Sequence, residues 1–173
     1  METYKRRHVT EDEMESYIQR CQTGPCFICE MVAGNPEERH RILYEDDVAI
    51  VFLNRYPTLY GYTLVAPRQH REQVTGDFTI EEYLALQRVV YRVAEAVRQE
   101  GGAERVYILS LGSQQGNRHV HWHIAPLPPG VPYREQQLEA LSSEKREILE
   151  LSDEDKALLV QHIRRRMEML NGV

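Results

Sequence analysis

The sequence predicts an α+β domain built on an antiparallel sheet. Three observations predict it. Short apolar runs bounded by turn residues recur along the middle of the chain, as strands do. One long stretch between them carries a helical apolar period with a capping pattern in front and Gly101-Gly102 behind. The strands and helices are not regularly alternated, which favours α+β over a doubly wound sheet. The 173 residues suit one compact domain, and 42% apolar with 28% charged residues is an ordinary soluble composition.

The elements follow in order. Residues 1–25 are polar, and Thr10-x-x-Glu13 can cap a short helix whose apolar side is Met14, Tyr17, Ile18 and Cys21. Gly24-Pro25 ends it. Residues 26–75 read as strands: 42–44, then a Glu45-Asp46-Asp47 turn, then the apolar run 48–53. A loop containing Pro57 and Gly61 leads to a strand over 62–66, closed by Pro67, so 48–53 and 62–66 pair antiparallel. Thr79-x-x-Glu82 caps the long helix, with Ile80, Tyr83, Leu84, Leu86, Val90, Val93, Ala94 and Val97 at helical spacing. Strands over 106–111 and 119–125 follow, joined by the polar loop 112–118, and Pro126 ends the second. Beyond Gly130 the chain is charged and helical, and Ser152-x-x-Asp155 caps a last helix carrying Leu158, Leu159, His162, Ile163 and Met167.

Composition excludes several functions. The net charge of −6 argues against a broad nucleic-acid surface. No apolar run approaches the roughly 20 residues of a spanning helix, and the polar start is not expected to be a secretion signal, so a cytoplasmic protein with no membrane partner is expected. Reduced cysteines are then expected, and Cys26-x-x-Cys29 reads as half a metal site or a redox pair.

The chemistry concentrates in His119-Val120-His121-Trp122-His123. In a strand the three histidines share one face, while Val120, Trp122 and Ile124 face the other, so Trp122 is expected in the core. Three readings compete: a structural strand with solvated imidazoles, a metal catalyst, or nucleophilic attack on phosphorus by a neutral imidazole.

The segment 119–125 resembles the alternating histidine–apolar signature of the histidine triad family. Asn54-Arg55-x-Pro57-x-x-x-Gly61-x-x-Leu64-Val65-x-Pro67 is similar to the family's ribose-binding strand pair, especially in the dinucleoside polyphosphate branch. Cys26-x-x-Cys29 resembles the opening of its zinc-containing bacterial members. The resemblance covers residues 26–130, the expected catalytic domain, and leaves 1–25 and 131–173 as helical extensions. It implies a sheet of about five strands with a central helix, and a homodimer.

It also implies roles. The catalytic set is His121, His123 and His119: His121 attacks the α-phosphate and forms a nucleotidyl-histidine, and His123 contacts the phosphate and aids the leaving group. Asn54 binds the ribose, or instead caps its own turn. Gln115 and Asn117 contact phosphates from the 112–118 loop. Structural zinc is held by Cys26, Cys29, His70 and His119. The substrate is a small-molecule nucleotide, either a dinucleoside polyphosphate or an adenylylated small molecule. The chain departs from the family in two places: Tyr62 stands where a histidine is usual, and the loop before the triad is shorter. Two alternatives to this enzyme are a nucleotide-binding module with little turnover and a hydrolase using a catalytic metal on the triad.

Overall fold

The computed structural model describes residues 4–38, 40–111, 117–141 and 147–170. In chain order these form β1 (Arg6–Arg7), α1 (Glu11–Thr23), α2 (Phe27–Val32), β2 (Ile42–Glu45), β3 (Ala49–Leu53), β4 (Thr63–Pro67), α3 (Ile80–Gly101), β5 (Arg105–Leu109), β6 (Trp122–Leu127), α4 (Gln136–Leu141), β7 (Ile148–Leu149) and α5 (Asp153–Met169). Five strands make one antiparallel sheet in the order β2-β3-β4-β6-β5. The α+β expectation is borne out.

Local chemistry sets the helix starts. Thr10, Thr79 and Ser152 each close a reciprocal capping box with Glu13, Glu82 and Asp155. Gly102, at φ +58°, ends α3 in the left-handed conformation that glycine adopts without strain. At the β2–β3 turn the Asp46 carboxylate accepts from the Val48 and Ala49 amides, each at 2.8 Å.

Every residue of β3 is buried, because both faces of the sheet are covered. Ala49, Val51 and Leu53 join Val65, Val120, Trp122 and Ile124 beneath α3 and α5. Ile50 and Phe52 join Leu64, Ala66 and Ala125 against Phe27, Ile28 and Met31 of α2 and Ala140 of α4. Trp122 is 4% exposed and packs edge-on to Phe78 and Tyr83, as expected of a core residue.

Several elements differ from expectation. Phe27–Val32 is a helix, not part of a strand region, and six residues are too few to display a period. The triad strand begins at Trp122 rather than at residue 119 and runs through Pro126, which sits opposite Val106. On α3, Val89 and Ala96 are buried, whereas Ile80 and Leu84 are 62% and 51% exposed. The two outer segments meet: β1 pairs antiparallel with β7, and the Leu149 amide donates to the Pro57 carbonyl at 2.7 Å. Tyr4 stacks on Tyr60, and Tyr17 lies edge-on to Tyr56, so two tyrosines of the β3–β4 loop anchor the N-terminal segment. Arg164 of α5 donates to the Leu43 and Ile42 carbonyls and so ties the last helix to β2. No helix among the described residues is long and apolar enough to cross a membrane.

Candidate active site

Alternation along the chain puts Val120, Trp122 and Ile124 under α3 and turns the histidines to the opposite, α2-covered side. There the three imidazoles divide. His121 and His123 lie with ring centroids 4.8 Å apart. His119 is fully buried and lies 4.8 Å from the His70 ring, against the start of α2.

Hydrogen bonds to carbonyl oxygens assign the proton on two of the rings. Nδ1 of His121 lies 2.8 Å from the His119 carbonyl oxygen. That oxygen can only accept, so Nδ1 carries the hydrogen and Nε2 keeps its lone pair. Nε2 of His119 lies 2.9 Å from the Pro67 carbonyl, so Nε2 donates and Nδ1 is the free ligand atom. Nδ1 of His123 lies 3.1 Å from the Tyr62 hydroxyl. Burial pushes the Tyr62 phenol up to about 12, so it stays protonated and can donate to Nδ1. With that donation, His123 carries its hydrogen on Nε2.

Burial also holds the imidazoles neutral. It lowers His123 to about 3, with His121 adding to the effect, and lowers His121 against a smaller opposing effect of the His119 carbonyl. His119 is lowered to about 4 by burial, against the Pro67 hydrogen bond that favours its charged form. A half-buried pair with one lone-pair nitrogen and one N–H donor can attack an electrophile and hydrogen-bond an anionic oxygen.

Cys26, Cys29, His70 and His119 form a second cluster, with one ligand atom from each within 4.8 Å of the others. Cys26 Sγ lies 3.5 Å and Cys29 Sγ 3.7 Å from His119 Nδ1, and Cys29 Sγ lies 3.3 Å from His70 Nδ1. Tetrahedral bonds of about 2.3 Å to sulfur and 2.0–2.1 Å to nitrogen would separate S from N by about 3.6 Å, so the residues fit a metal ion. His70 Nε2 donates to Glu72 Oε1 at 3.2 Å, a carboxylate–histidine arrangement that presents Nδ1 as a ligand. The four expected metal ligands are therefore brought together.

The expected substrate residues fare differently. Asn54 Oδ1 accepts from the Tyr56 amide at 2.8 Å, the turn-capping role, which leaves its Nδ2 as a donor. Asn54 also lines a cavity of about 310 Å³. Asn117 is buried, and its Nδ2 has no partner among the described residues, a donor left for an acceptor. Gln115 lies outside the described residues. Tyr62 is the residue whose role spacing alone missed, although its place in the ribose-strand motif marked it.

Comparison with known proteins adds the following. Residues 35–129 match the family model described as HIT domain. An uncharacterized HIT-like protein of Saccharolobus solfataricus is 30% identical over 139 residues, covering 72% of this chain and 96% of that one. The adenosine 5′-monophosphoramidase of Schizosaccharomyces pombe is 26% identical over 133 residues, covering 69% and 94%. Among solved structures, a hypothetical histidine triad nucleotide-binding protein from Sulfolobus tokodaii superposes with a TM-score of 0.65 at 28% identity, covering 84% of this chain and 93% of that one. A Zn-bound histidine triad family protein from Mycobacterium smegmatis gives a TM-score of 0.65 at 24% identity, covering 86% and 96%.

Proposed function

The chain belongs to the HIT domain family, and from that premise we propose that it is a nucleotide hydrolase or nucleotidyltransferase working through a covalent histidine intermediate. The observation that carries the reading is the His119 carbonyl bound to His121 Nδ1–H, which leaves the His121 Nε2 lone pair available beside His123. In the proposed reaction Nε2 of His121 attacks the α-phosphorus. The bond from phosphorus to the leaving group breaks, and its electron pair departs with that group. Water or phosphate then attacks the phosphorus and the N–P bond breaks, its electron pair returning to Nε2; water releases the nucleoside monophosphate, and phosphate releases the nucleoside diphosphate. His123 Nε2–H and Asn117 Nδ2–H are donors for the phosphate oxygens, whose charge grows in the transition state. Asn54 meets the ribose. The substrate we propose is a dinucleoside polyphosphate or an adenylylated small molecule, with residues 26–130 as the catalytic unit.

Cys26, Cys29, His70 and His119 would hold structural zinc, which would supply a tie between the start of α2 and His119, two residues before His121. His121 and His123 are not in that cluster, which favours nucleophilic over metal catalysis. A homodimer is supported by the exposed apolar side chains of α3 (Ile80, Leu84, Tyr91), by Ile108 on edge strand β5 and by Leu111 beside it. We place the protein in the cytoplasm.

The test is mass spectrometry of protein quenched after mixing with adenylylated substrates, with His121→Ala alongside. The expected result is an acid-labile gain of one AMP, absent in the variant, which should bind nucleotide but not turn it over. Activity without an adduct that chelation abolishes at once would move the chemistry to metal. Binding without any turnover in wild type would make the protein a nucleotide-binding module.

A further inference from the structure

The cavity at Asn54 is built from parts of the chain far apart in sequence: Arg20 of α1, Arg41 before β2, Arg55 after β3 and Lys156 of α5. Four cations face it and one carboxylate, Glu37, lines it with them. The cations are only loosely neutralised. Arg20 lies 3.6 Å from Glu38, Arg41 lies 3.0 Å from Asp153, and Lys156 shares that same Asp153 at 3.9 Å. Asp153 is 82% exposed, so these pairs are weak competitors for a bound anion. Arg55 lies over the Tyr56 ring. Counting the paired acids as well, the site remains net positive in a chain of net charge −6.

A second observation is independent of the charges. His40 lines the same cavity with its side chain 7% exposed, stacked on Phe27 and edge-on to Phe52. Its Nδ1 has no hydrogen-bond partner among the described residues, and Glu38 lies 3.6 Å away, beyond hydrogen-bond length. Burial and the nearby Arg55 and Arg20 guanidinia keep the imidazole neutral, lowered to about 4. A buried polar atom with nothing to bond is costly.

We propose that this cavity binds a phosphate monoester on the ribose of the nucleotide, so that the preferred substrates carry a 2′- or 3′-phosphate as well as the 5′-linked group. The proposal rests on the assignment of Asn54 to the ribose. A ribose with one free hydroxyl and one neighbouring phosphate offers a donor beside a dianion. The cavity offers the complement: Asn54 Nδ2 as donor, the His40 ring on its wall, and guanidinium forks suited to phosphate oxygens. A plain diol would leave those cations unused. The cations come from α1, α5 and the loops rather than from the triad strand, while Tyr62 lines the same cavity and joins it to His123.

Calorimetric titration of the full chain with AMP, adenosine 2′,5′-bisphosphate, adenosine 3′,5′-bisphosphate and inorganic phosphate tests this. One bisphosphate is expected to bind roughly tenfold or more tighter than AMP at low salt, with the advantage shrinking as salt rises. In Arg41→Gln and in Arg55→Gln, two changes at exposed side chains, the ratio of bisphosphate to AMP affinity is expected to fall toward one. AMP binding as tightly as both bisphosphates overturns the proposal and leaves the nucleotide reading intact. An advantage that persists unchanged in both variants overturns it as well. If neither AMP nor either bisphosphate binds, the nucleotide reading itself fails and takes this site with it.

Discussion

Acid should destabilise this fold through its buried neutral imidazoles, and His40 allows the effect to be isolated. An unfolded histidine titrates near 6.5, whereas the folded His40 is lowered to about 4 by burial and by Arg55 and Arg20. Between those values the unfolded chain binds a proton that the folded chain does not, so stability falls as pH drops from about 6.5 toward 4. At pH 5 the unfolded imidazole is almost fully protonated and the folded one almost fully neutral, which makes the loss relative to pH 8 about 2 kcal/mol. That figure is robust, because at pH 5 it is set almost wholly by the unfolded value. His123, lowered to about 3, contributes a similar loss in the same direction. The perturbation is His40→Phe, which keeps a ring stacked on Phe27 and removes the orphaned Nδ1. Urea unfolding at pH 8 and pH 5 measures it. Wild type is expected to lose about 2 kcal/mol more than the variant between the two pH values. Equal losses in the two proteins would refute the assignment of His40 as a buried, neutral group.

Further predictions concern the site and the packing. Tyr62→Phe removes one hydrogen bond to His123 while keeping its ring contact, so kcat is expected to fall about tenfold with little change in KM. Nitrogen-15 spectra of His123 should show the Nε2–H tautomer losing its dominance in that variant, and unchanged spectra would sink the role given to Tyr62. A metal held at about a hundred times its dissociation constant contributes about 2.7 kcal/mol, so stripping it with a chelator should lower Tm by about 5–11 °C, and Cys26→Ser should abolish that response. Leu159→Ala, at a side chain 1% exposed in the core under α5, should cost about 2–5 kcal/mol in urea unfolding.

What was legible in the sequence was local chemistry with a strong period. The three capping boxes, the Asp46 turn, the buried run of β3 and the inward-facing Trp122 each rest on residues within a few positions of one another. The metal cluster was legible only through resemblance, since nothing in spacing alone joins Cys26 to His119. The misses have physical causes. α2 is too short to show a period, and β1 and β7 are two residues each and exist only because distant segments meet. β6 continues through Pro126 opposite Val106, so a proline taken as a terminator sits inside the ladder. The cationic cavity was invisible for the same reason: positions 20, 41, 55 and 156 belong to different elements.

The division of the triad explains why three histidines occur where two do the proposed chemistry. His119 turns its Nε2 to Pro67 and its Nδ1 to the cysteines, so the residue that anchors α2 is fixed from both sides of its ring. Its backbone carbonyl then receives the His121 Nδ1 proton. The four-residue cluster is therefore linked through His119 to the tautomer of His121, the proposed nucleophile, which itself lies outside the cluster. In the proposed mechanism Tyr62 sets the opposite tautomer on His123, donating where a carbonyl would accept. Two adjacent imidazoles, alike in burial and in their lowered basicity, thus present a lone pair and a hydrogen to the same space, and the difference comes entirely from the partner behind each ring. A phenol can hold that second ring because donation to Nδ1 requires only a hydroxyl that stays protonated, and the burial of Tyr62 ensures that it does.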